Sequence, residues 1–347
     1  MQVLVTHGNI VIQNSLSLVQ KALPSLPLIC SNLASLAVTL TNLSESMVSS
    51  ILPILLSFHS SLANGLSSIT LQKMAEAFQV TDSNPIVGLQ GRTTLLSNLA
   101  SALNNNPTFF GQDARPGNII DHLQHHLLIT HNNPPQLPLT ALWHVLIHGL
   151  SSIWPSSTTS LNGIPLGDVW TCPALTPLSQ SPGDDLIPFH KLTSWLTYSI
   201  IEPIEQILGW LITEKDLLTG LPEYRNGGLL IDLGVLSLKP GSIPLHPDTL
   251  IPRLPPSHPA IVEWRAMTII ELQVSPIFII KDINFSLSFR DRIADLIRDI
   301  LGLSPQQLSL PQILESATWK AGRIIANQIR PLTGGPPIDI ESDGTVF

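Results

Sequence analysis

The sequence predicts a mostly α, multihelical globular fold with long proline-rich connections. Three observations predict it. From Leu71 onward, apolar residues recur at helical spacing in several segments. Runs that alternate apolar and polar residues are few. Thirty prolines fall mainly in the connections between the helical segments. No repeat recurs at a fixed period. The chain has 347 residues, enough for one large domain or two ordinary ones.

Taken in order, residues 1–60 hold two formal charges, Lys21 and Glu45, and show no clean period. They are expected to be irregular helices or poorly ordered. Residues 71–78 read as an amphipathic helix with Lys73 and Glu76 outside. Gly91 and Arg92 lead into a helix over 93–103, with Leu95, Leu96, Leu99 and Leu103 on one stripe. Asn118 is placed to cap a helix over 119–128. Helices are predicted over 139–150, 189–212, 261–272, 291–301 and 308–330. Pro203 sits inside the second of these, as a kink or as the start of another helix.

Composition excludes some classes. Charged residues make up 12%, about half the usual share. A net charge of −8 and the lack of a basic run argue against nucleic-acid binding. Cys30 and Cys172 give no disulfide framework and no CxxC pair, so a reducing, cytoplasmic setting is expected. No apolar run reaches the roughly 18 residues that span a bilayer. The N-terminus lacks the Lys/Arg cluster of a secretory signal.

The chemistry is expected around residues 217–238. There Glu223, Tyr224 and Arg225 follow Pro222, and Asn226-Gly227-Gly228 follows them. Asn-Gly-Gly supplies positive φ readily, which predicts a sharp turn after Arg225. An acid beside a guanidinium either sets up a protonation-controlled site or pins a loop. His190 and Lys191 open the long helix, where two cations suit an anion such as phosphate better than they suit the helix dipole. Asp168, beside Trp170, reads as a sugar contact or as a helix-start residue. Glu263 and Arg265 flank Trp264 and point to different helix faces, so each needs another partner. Gly88 and Gly91 in GLQGR form a candidate anion cradle or a plain turn and cap. His122, His125, His126 and His131 form a histidine-rich patch without a metal-binding motif.

Several of these segments together resemble one family. They are PFHKLTSWLTYSIIEPIE, LTGLPEYRNGGLLIDLGVL, VEWRAMT, ATWKAGRIIA and GGPPIDIESDGTVF, with NPIVGLQGR and LGDVW. The family is that of uracil catabolism protein 4 of fungi and bacteria, and the resemblance covers about residues 75–347. It implies a single helical domain over 66–347 and an atypical segment over 1–65. The family belongs to a pyrimidine-degradation route that opens the uracil ring and releases urea. The order of Lys191, a long helix, Glu223-Tyr224-Arg225 and an apolar run is also similar to the queuosine 5′-phosphate N-glycosidases. That likeness implies a helical architecture of the DNA-glycosylase type.

The resemblance implies hydrolysis of the N-glycosidic bond of a ureido-ribose phosphate, a small nucleotide-derived substrate, with release of urea. Glu223 would act on the oxocarbenium-like state, kept ionised by Arg225 and flanked by Tyr224. Lys191 and His190 would hold the phosphate. Asp232, Glu263, Arg265 and Asp168 would bind the sugar or support the site. No metal or redox cofactor is implied. Other enzymes of uracil degradation are expected partners. The alternative is a non-catalytic partner of the ring-opening enzyme. The family's usual stretch reading roughly HSRWRHF has no counterpart in residues 1–60, and residues 273–289 interrupt a helical pattern at Pro276. A truncated or misread N-terminus and a translated intron or lineage insertion are the expectations there.

Overall fold

The computed structural model describes residues 10–12, 62–129, 133–155, 158–241, 243–247, 249–272 and 293–345. His131, residues 273–289 and most of 1–60 lie outside the described residues. The molecule is mostly α. Its principal helices are α1 (Leu89–Asn105), α2 (Leu139–Gly149), α3 (Lys191–Leu208), α4 (Tyr224–Asp232), α5 (Pro259–Leu272) and α6 (Lys320–Ile329). A π-helix, Ile313–Trp319, leads directly into α6. The strands are two or three residues long and pair two by two. The chain divides into two compact units. One comprises Met1–Thr39, Trp170–Lys191 and Leu218–Glu341; the other comprises Leu40–Val169, Leu192–Leu217 and Ser342–Phe347.

In the first unit the core is built on α5. Ala260, Ile261, Val262, Trp264, Ala266 and Met267 are all buried, with Phe189, Leu230, Leu236 and Ile338 around them. A helix that is apolar nearly all round must be enclosed on every side. Enclosure carries Glu263 and Arg265 inside with it, each 2% exposed. Two strand pairs edge this unit. Ile10–Ile12 runs antiparallel to Leu236–Leu238. Arg253–Leu254 runs parallel to Asp339–Ile340.

The second unit holds α1, α2 and α3 from Leu192 onward. Of the leucine stripe expected on α1, only Leu103 is fully buried; Thr93, Ala100 and Ala102 share that burial. The helix starts four residues before the predicted 93, so Gly91 lies inside it. Pro203 is accommodated inside a single α3. The first turns of α3 invert the usual pattern. Thr193, Ser194 and Thr197 are buried while Leu192, Trp195 and Leu196 are exposed. The Thr197 hydroxyl is satisfied by donating to the Thr193 carbonyl at 2.7 Å.

Two local expectations are corrected. Asn118 does not cap its helix with its side chain. Its amide donates instead to Phe110 O at 2.8 Å and Asp113 Oδ1 at 2.6 Å. GLQGR does not leave an open anion cradle. A Cβ on Gly88 or Gly91 would land on the Asp343-Gly344 backbone, so these glycines exist to let the C-terminal segment approach. Among the described residues no helix is long and apolar enough to cross a membrane.

Candidate functional site: the capped turn at Glu223

Asn226-Gly227-Gly228 does not make the sharp turn that its composition suggests. It is the interior of α4, and neither glycine has positive φ. The reason is proximity rather than backbone freedom. A Cβ on Gly227 would sit 2.7 Å from Trp264 Nε1 and closer still to the Thr268 hydroxyl. A Cβ on Gly228 would sit 3.0 Å from Pro337. Gly322 of α6 lies against the Arg225 carbonyl in the same way. The first turn of α4 is therefore clamped by α5, α6 and the chain at Pro337. Gly322→Ala should cost about 1–3 kcal/mol, because backbone atoms cannot yield as a flexible side chain can. Urea denaturation measures it.

Glu223 is the N-cap of this clamped helix. Its extended backbone precedes the first turn, and its carboxylate accepts from Arg225 N at 2.5 Å. Burial pushes its pKa up. The backbone N–H groups of Arg225 and Asn226 and the Lys191 ammonium pull it down, and the Arg225 charge pulls least. Burial wins. Arg225 thus acts in the expected direction, favouring the ionised form, but it contributes least and does not outweigh burial. The Arg225 guanidinium turns elsewhere, donating to Gly334 O at 2.6 Å and lying 5.0 Å from the Tyr224 ring centre. Among the described residues, Arg225 Nε and Trp264 Nε1 are buried without a hydrogen-bond partner. Such groups carry a desolvation cost that tight packing must offset.

Of the other expected site residues, Lys191 is buried at the start of α3, near enough for its charge to act on Glu223. His190 precedes it with φ of 46°, a strained value for a non-glycine residue. Arg265 stacks over Phe189 at 4.0 Å, beside that segment. Glu263 lies near Cys172, and burial, followed by Glu263 among the charges, pushes the thiol pKa up. Asp232 is held by Arg330 through two hydrogen bonds, 2.8 and 2.5 Å. Asp168 belongs to the second unit and is fully buried; the strand Val169–Thr171 follows it, not a helix.

The histidines pair but do not gather ligands. His122 and His126 have ring centres 5.5 Å apart, and His144 and His148 4.3 Å apart. Burial and then the neighbouring His126 lower the pKa of His122. Among the described residues no group of three or more His, Cys, Asp or Glu could hold a metal ion.

Two residues complete the turn: Asn226, read from the sequence only as part of a sharp turn, and Thr318, which the sequence did not single out. Asn226, 2% exposed, follows Glu223 by three positions. Thr318, from the π-helix, donates to its Oδ1 at 3.0 Å. Both lie within segments that carry the family resemblance, but nothing in their spacing pairs positions 92 residues apart.

Fold and site define a mostly α protein whose central feature is a capped, half-buried carboxylate on a rigid helix start. A family model described as "Protein of unknown function (DUF1688)" matches residues 56–347, and the chain belongs to that family. It is 40% identical over 294 residues to Uracil catabolism protein 4 of Lachancea kluyveri, covering 81% of this chain and 62% of that protein. It is 38% identical over 282 residues to Protein urg3 of Schizosaccharomyces pombe, covering 81% and 60% respectively. The chain spans about three fifths of the length of these relatives.

Proposed function

We propose that this chain acts in uracil catabolism, in the cytoplasm, as a hydrolase of a ureido-ribose phosphate. Water adds to C1 of the ribosyl group, the C1–N bond breaks, and the proton goes to the leaving nitrogen as urea departs. The pathway rests on the name of the Lachancea kluyveri relative. The reaction rests on one observation above the others: a half-buried carboxylate, Glu223, held at a clamped helix start and within the field of buried Lys191. Glycoside cleavage passes through an oxocarbenium-like state that a carboxylate stabilises or attacks. Glu223 takes that role, and Lys191 with His190 holds the phosphate. The proposed partners are other enzymes of uracil degradation.

The test is to incubate the folded chain with ribosylurea 5-phosphate and assay urea. Release of urea is expected; none from folded protein overturns the hydrolase reading. A non-catalytic partner role has one observation of its own: capping a helix is also what a purely structural glutamate does.

The pH profile is a further prediction. Burial raises the pKa of Glu223, and the ionised form faces the developing cation. On the acid limb, kcat/KM should therefore rise with pH through a pKa above the ordinary carboxylate value of 4.5. A limb at or below that value contradicts the assignment.

A further inference from the structure

The Asn226–Thr318 contact is unusual for its surroundings. It is a polar pair inside a packed helix crossing, where two apolar residues of the same shape would be close to neutral for stability. The hydroxyl comes from a π-helix, a rare backbone form that recurs at functional sites. Thr318 Oγ1 also lies 3.2 Å from Leu314 O, so its one proton is shared between that carbonyl and the nearer Asn226 oxygen. An amide carries its oxygen and nitrogen on opposite sides of one carbon, so Nδ2 is turned away from the π turn.

Asn226 also occupies the third position of a helix whose N-cap is Glu223. Side chains at these two positions are neighbours, as the capping box demonstrates. An NH2 donor at that position, next to the N-cap carboxylate, would be complementary to a planar –CO–NH– group, whose carbonyl would accept from the amide and whose N–H would donate to the carboxylate.

We infer that Asn226 is a specificity-determining residue, donating through Nδ2 to the carbonyl of a ureido group whose N–H faces Glu223, with Thr318 fixing the amide's orientation. This rests on the proposed hydrolase reading and names what the site recognises.

The experiment titrates two ligands into the full chain by calorimetry. One is the carbocyclic analogue of ribosylurea 5-phosphate, which has no glycosidic bond to cleave. The other is the same carbocycle with a hydroxyl in place of the ureido group. The wild type should prefer the first by about 10-fold or more, the effect of a site that hydrogen-bonds a polar group. Asn226→Asp keeps an oxygen for Thr318 and loses the donor; in folded protein it should erase the preference. Thr318→Val keeps the donor but frees its orientation, and should reduce the preference in part.

A wild type without the preference, or an Asn226→Asp variant that retains it, overturns the inference. Urea release from ribosylurea 5-phosphate, assayed alongside, separates the two readings. Turnover with the preference intact in Asn226→Asp leaves the hydrolase and removes the inference. A preference lost in that variant, with no turnover by the wild type, does the reverse.

Discussion

Glu223→Gln should lower kcat/KM for ribosylurea 5-phosphate by roughly 10³-fold or more, with the chain still folded. Gln keeps a side-chain oxygen to accept from Arg225 N, so the cap survives in form. On the proposed reading, what it removes is the negative charge that would stabilise the developing oxocarbenium. A second measurement checks that this charge is held under strain. Burial raises the pKa of Glu223, so the folded chain binds its proton more tightly than the unfolded chain. The stability Glu223 contributes is then complete below the unfolded carboxylate pKa and lost as pH rises through the raised folded value. Gln does not titrate. The melting temperature of the wild type, less that of Glu223→Gln, should therefore fall from acid to neutral pH. A difference that stays level or grows would mean the carboxylate is solvated and unstrained. Loss of activity with a gain in relative stability is the signature of a group kept for chemistry rather than for folding.

The helical class was readable because it depends on periodicity alone. α5 read as helical over 261–272, but its enclosure did not follow from a segment carrying Glu263 and Arg265; it became the centre of a core. That the Lys191 charge acts on Glu223, 32 residues away, was suggested only by the likeness to the queuosine 5′-phosphate N-glycosidases. Local rules failed where tertiary contact decided the outcome. Asn-Gly-Gly is a strong turn signal, yet Trp264, Thr268 and Pro337 need the space that a side chain would fill, and the helix runs through it. GLQGR left an anion cradle and a plain turn and cap both open; Gly88 proves to be the N-cap, with the C-terminal segment packed against it. Arg225 stands next but one to Glu223 in sequence, but the Gly334 carbonyl captures its guanidinium. Adjacency along the chain says nothing about side-chain direction once a helix starts between the two residues. The Asn226–Thr318 pair was invisible for the same reason.

Arg330→Met should destabilise the chain by about 3 kcal/mol, the usual cost of stranding one member of a buried ion pair. Asp232 ends α4 with its side chain 4% exposed, and Arg330 follows α6 with its side chain 16% exposed. Two parallel hydrogen bonds join them, and Arg330 Nε also donates to Gly335 O at 2.8 Å. The pair thus ties together α4, the end of α6 and the loop whose Gly334 carbonyl receives Arg225. Removing Arg330 leaves a carboxylate in a site with little water to solvate it. Removing both charges, as Asp232→Leu with Arg330→Met, should recover most of the loss, since apolar replacement of a whole buried pair is often neutral. Denaturant unfolding of the single and double variants gives the coupling directly. The same set decides what Asp232 is for. If it binds the sugar, Asp232→Asn raises KM more than it lowers stability. If it is a tie between helices, stability falls and the KM of the folded fraction stays where it was. The geometry favours the tie, because Arg330 already engages both oxygens of the carboxylate.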